Sequence, residues 1–117
     1  MYGVIKVGER DIPMLATAAT PIRYRQVFHK NLLPYFMGKA TDEDAAEMVG
    51  ELAYIMAAAA DGSNQMKLSE EGYIKWLEGF DPLAFVDTRV VGEIIALYQG
   101  NSITHETVKK SQDQPSE

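Results

Sequence analysis

Cysteine is absent from the 117 residues, which excludes disulfide frameworks, thiolate catalysis and zinc ribbons together and fits a reducing compartment. Histidine is scarce: only His29 and His105 occur, and neither has a second ligand at a metal-binding spacing such as i, i+4. Long apolar runs are missing. The uncharged stretch Leu52 to Ala60 falls far short of the roughly 20 residues a membrane helix needs, and Met1 to Val7 shows no basic region followed by an apolar core. Neither export nor membrane insertion is expected. Basic residues are the minority, 11 against 17 acids for a formal net charge of −6, so the summed field repels phosphate backbones and nucleic acid is not an expected partner. The nine glycines are scattered, and no GxGxxG or GxxxxGKS/T string is present to cradle a nucleotide.

What is there belongs to a globular chain. A hydrophobic content of 46% in one domain's length supports one contiguous core without disulfide or metal. Tyr2 to Val7 alternates around Val4, Ile5 and Val7, Gly8-Glu9-Arg10-Asp11 has the composition of a turn, and Ile12 to Thr17 resumes the apolar run. This pattern predicts a hairpin over about 2–17. Pro13 confines the second strand to an edge or to its own start, and two strands alone are marginal, so helices must cover them.

Four helices are expected to follow. Thr20-Pro21 is a cap-plus-proline start for the first, with an apolar stripe at Tyr24, Val27, Phe28, Asn31 and Leu32, ended by Pro34. Thr41 followed by Asp42, Glu43 and Asp44 starts the second, where the helix dipole favours acids. Its apolar residues, Met48 through Ala60, cover more than one face and predict the central, most buried helix. Gly50 within it costs about 1 kcal/mol relative to alanine and predicts a close approach by another helix. Ser69-Glu70-Glu71 opens a short third helix, with Tyr73, Ile74, Leu77 and Phe80 on the packed side. Asp81-Pro82 opens the fourth, with a stripe from Leu83 and Val86 to Leu97 and Tyr98 and a bend near Asp87-Thr88. The composition after residue 101 cannot repay the entropy of ordering. The expected fold is mainly α: a small bundle of about four helices with a short N-terminal β-hairpin, one domain over 1–101, and a disordered, flexible polar tail over 102–117.

No residues carry a catalytic constellation, so no enzyme, cofactor or metal site is expected. Asp42, Glu43, Asp44 and Glu47 lack the interleaved glycine turn of a hard-cation loop, and the helix-dipole reading outweighs it. Arg23 and Arg25 match a solvated or salt-bridged face better than a phosphate grip. The basic segment Arg23 to Lys30 and the acidic segment Asp42 to Glu51 are expected to attract each other. Trp76 with Tyr73 and Phe80 is either a peptide-binding strip or core, and helical spacing favours core. The better sticky surface is the connector Leu33-Pro34-Tyr35-Phe36-Met37. Tyr35, Phe36 and Met37 are the candidate partner-binding residues, balanced evenly against Tyr35 and Phe36 folding back to plug the bundle end.

Three strings together carry a family resemblance: Ala18-Ala19-Thr20-Pro21 with Arg23-Tyr24-Arg25 and Phe28, then Glu51-Leu52-Ala53-Tyr54-Ile55-Met56, then Trp76-Leu77-Glu78-x-Phe80-Asp81. Over about residues 4 to 101 the chain resembles the tail assembly chaperones of long-tailed phages and prophages of Gram-positive bacteria. The resemblance implies a non-catalytic protein of the host bacterial cytoplasm, missing from the mature virion. It would coat the tape measure protein and give way as tail tube protein polymerises. Further implied partners are a homo-oligomer and a frameshift-extended form of the chain itself, for which Lys109-Lys110 would mark a slippery adenine run. Six methionines and an acidic surface suit such adaptable, reversible binding. The rival readings are a head-tail connector that stays in the virion and a small helical regulator reading DNA through Arg23, Arg25 and Lys30.

Overall fold

The computed structural model describes residues 1–38, 41–61 and 68–100. Its elements are β1 (Tyr2–Val7), β2 (Arg10–Leu15), α1 (Thr20–Phe28), α2 (Leu33–Phe36), α3 (Asp42–Ala60), α4 (Glu70–Leu77) and α5 (Thr88–Tyr98). The mainly helical architecture with a hairpin at its N-terminal end agrees with the pattern of the sequence. The helix count does not: α2 is a fifth helix, inside the expected connector. The expected polar tail lies outside the described residues, as does most of the loop after Asp61.

β1 and β2 pair antiparallel, with Ile5 opposite Ile12 and Val4 opposite Pro13. The turn is shorter than the composition suggested, because Gly8 alone takes a positive φ of 63°. That is the requirement of a tight two-residue loop with glycine first, and it leaves Arg10 and Asp11 in the strand. Ala16 N–H donates to the Met1 carbonyl at 2.8 Å, and hydrogen-bonded pairs alternate along such a ladder. Pro13 therefore falls at a position whose missing N–H points away from β1. Alternation sends Ile5, Val7, Ile12 and Met14 inward, all buried. They lie on α3 and α5, the lid that two strands require.

α3 is the central helix. The Thr41 hydroxyl accepts from Asp44 N–H, and every residue from Met48 through Ala57 is buried, as in a helix packed on several sides. Gly50 marks the close approach expected of it. A Cβ there would lie 2.6 Å from the Tyr73 hydroxyl, so the α3–α4 packing needs a bare backbone at this point.

Three boundaries differ from the sequence pattern. Thr20 does not cap α1: it is the first helical residue, buried, and its hydroxyl accepts from Thr17 N–H at 2.9 Å. α1 ends at Phe28 rather than running to Leu33, because His29 adopts a left-handed conformation (φ 59°) and its N–H closes on the Arg25 carbonyl. Histidine is among the side chains that enter this region more readily, and the turn swings Lys30 toward the acids of α3. Asp81-Pro82 opens only turns; Leu83 and Val86 point outward, and Asp87 is the true cap of α5, accepting from Arg89 and Val90 N–H. The interruption turns Phe85 onto Trp76 and Phe80. A helix continuous from residue 82 would have replaced the turn that does so. α4 also presents a different face: Tyr73 and Trp76 pack inward while Ile74 is exposed.

Candidate functional site

Lys30 meets two acids of α3, Glu47 and Glu51, in a polar cluster. Glu51 is 5% exposed on α3. Tyr24 of α1 donates its O–H to Glu51 Oε1 at 2.6 Å, and Lys30 Nζ donates to Glu51 Oε2 and Glu47 Oε1, each at 3.0 Å. This is the expected attraction between the basic and acidic segments, carried by Lys30. Burial, then the hydrogen bond to Glu51, raises the Tyr24 pKa well above the usual phenol range. Burial alone would lower the Lys30 pKa, but the hydrogen bonds and charges of Glu47 and Glu51 outweigh it and the net shift is upward. Tyr73, across from this cluster, is pushed up by burial and then by Glu51 and Glu47. Tyr24, Tyr73 and Lys30 thus hold their protons more firmly than usual, the opposite of an acid or base poised for turnover. The cluster is a latch between the start of the connector and the central helix.

The aromatic side chains form a continuous inner stack. Phe28 meets Tyr73 edge-on at 5.2 Å, Tyr54 lies 5.6 Å from Trp76, and Trp76 packs on Phe80 at 4.9 Å. Arg10 closes the far end, its guanidinium 4.4 Å from the Phe80 ring centre and bonded to the Gly79 carbonyl. Trp76, Tyr73 and Phe80 are therefore half-buried and packed against the core.

The connector divides. Tyr35 and Phe36 are half-buried and pack against the core; Phe36 stacks on Tyr98 at 5.2 Å and Tyr35 meets Phe36 edge-on at 5.0 Å. The helical turn of α2 directs them inward. Met37 and Leu33 stay 56% and 63% exposed. Beside Leu33 lies an open groove of about 410 Å³ between α1, α2 and α5. Pro21, Ile22 and Arg25 form one wall, Leu32 and Leu33 the next, and Phe36 with Tyr98 the third. Ile22 is 49% exposed. Periodicity points to the buried stripe of α1 and passes over Ile22; an apolar residue half a turn out of phase with Tyr24 and Phe28 was the available signal.

Among the described residues no group of three His, Cys, Asp or Glu is placed to hold a metal ion, and no helix is long and apolar enough to cross a membrane. His29 is a helix-terminating residue and His105 lies outside the described residues. No family model, no curated protein and no solved structure matches the chain.

Proposed function

We propose that this protein is a non-catalytic binding protein of the phage tail assembly chaperone type, which holds apolar segments of the tape measure protein in the host cytoplasm and releases them as tail tube protein polymerises. The observation that supports this reading is the apolar surface at the α1–α2–α5 end, where exposed Ile22 and Leu33 line an open groove and Met37, just after α2, is exposed as well. Large apolar side chains gathered at one place mark binding surfaces more often than chance exposure, and methionine adapts to varied partners. The firmly protonated Tyr24 and Lys30 argue in the same direction, since the polar cluster around the buried Glu51 serves fixed geometry. Co-expression with the long tape measure gene of the same genome tests the reading. The tape measure protein should remain soluble and co-purify, and mass spectrometry of purified virions should lack this chain. An insoluble, unbound tape measure protein sinks the reading, and recovery of the chain from virions replaces it with the connector.

A further inference from the structure

The groove has one ionised wall residue, Arg25, in a chain whose net charge is −6. The other arginines of known surroundings are engaged or elsewhere. Arg10 sits on Phe80 and the Gly79 carbonyl, Arg89 binds Glu93 and the Lys6 carbonyl, and Arg23 lies about 200° around α1 from Arg25. Lys30 is held by Glu47 and Glu51. Among the described residues, no carboxylate forms an ion pair with Arg25. Among the described residues, an acidic chain thus keeps a guanidinium without an ion-pair partner beside an apolar groove rimmed by Ile22 and Leu33.

Resting on the reading above, we infer that this groove receives an amphipathic helix of a partner protein that carries a carboxylate beside its apolar stripe, the carboxylate pairing with Arg25. The groove's walls are largely helical, and helix backbones are already bonded internally, so an extended strand would find few ladder partners there. A helix satisfies its own backbone and offers only side chains, at the i, i+3, i+4 spacing that fills such a groove. The guanidinium selects the charge that flanks those side chains, and charge complementarity of this kind sets specificity.

Two stapled helical peptides of about 18 residues, long enough to hold helix with a staple, test the inference. They share one leucine stripe and differ in flanking glutamates or lysines. Each is titrated into the full-length isotope-labelled protein. The glutamate peptide should shift the resonances of Ile22, Arg25, Leu33 and Tyr98 and bind roughly tenfold tighter than the lysine peptide, and Arg25→Glu, on an exposed helix face, should reverse the order. Absence of binding, shifts that map elsewhere, or a preference unchanged in Arg25→Glu would overturn the inference. So would groove shifts that appear on concentration without peptide, which assign the groove to a second copy, or on Ile103→Ser alone, which assign it to the chain's own C-terminal segment. Co-purification separates this inference from the functional reading. Tape measure protein held equally by wild type and Arg25→Glu would leave the function standing and remove the groove; a groove that takes the glutamate peptide while tape measure protein is never bound would do the reverse.

Discussion

Tyr24 shows how much one hydroxyl can decide. Its ring packs on Phe28 at 5.3 Å and its O–H reaches the buried Glu51 carboxylate at 2.6 Å. Tyr24→Phe keeps the ring and removes the donor, so the carboxylate retains Lys30 as its one remaining partner shown. A hydrogen bond to a charged group contributes about 1.5–3 kcal/mol, and a loss of that size is expected. It should appear as a lower urea midpoint at unchanged slope; an unaltered midpoint would mean that water replaces the phenol freely. The acid–base pairing of the two segments was legible in the sequence. Which lysine or arginine would carry it was not, because the choice follows from the left-handed turn at His29 that aims Lys30.

Among the elements, the contact of α3 with α4 turns on Gly50, where an added Cβ would meet the Tyr73 hydroxyl at 2.6 Å. Gly50→Ala should therefore be destabilising, since overpacking costs about 1–3 kcal/mol. In a Tyr73→Phe background the next ring atom is 3.7 Å away, an ordinary contact. The same Gly50→Ala change should then stabilise by up to about 1 kcal/mol through helix propensity. Thermal unfolding of the four proteins in this double-mutant cycle checks the reversal of sign; an equal effect in both backgrounds would place the constraint elsewhere. The glycine was readable as a close approach from its place in an otherwise strong helix. The identity of the approaching group was not, since α4 could present any of several side chains and its rotation is fixed by the aromatic stack from Phe28 to Phe80. The same stack exposes Ile74, which periodicity alone had placed inside.

For the whole molecule, the shifted tyrosines and Lys30 predict a one-sided pH dependence. Tyr24 and Tyr73 have pKa values raised above 10.0, and Lys30 above 10.5. A raised native pKa means that the folded chain keeps protons the unfolded chain loses, so the stabilisation is complete below about pH 10 and falls as pH rises further. Urea midpoints should hold steady up to about pH 9 and drop by about pH 11, the drop being smaller in Tyr24→Phe. A midpoint independent of pH across that span would show these groups to be solvated in the native state.

Composition and periodicity by themselves determined the hairpin followed by helices, the burial of α3 around its run of apolar residues, and the caps at Thr41 and Ser69, because each depends on a few neighbouring residues and the local geometry they favour. Tertiary structure decided where α1 stops, that α2 forms within the connector, and that Asp87 rather than Asp81 opens α5. In each case two local signals were nearly equivalent, and contacts between distant residues broke the tie: Lys30 with Glu51, Phe36 with Tyr98, Phe85 with Trp76. The groove between α1, α2 and α5 belongs to the second group as well, since its walls are separated along the chain by more than sixty positions and only packing gathers Arg25, Ile22 and Leu33 with Tyr98.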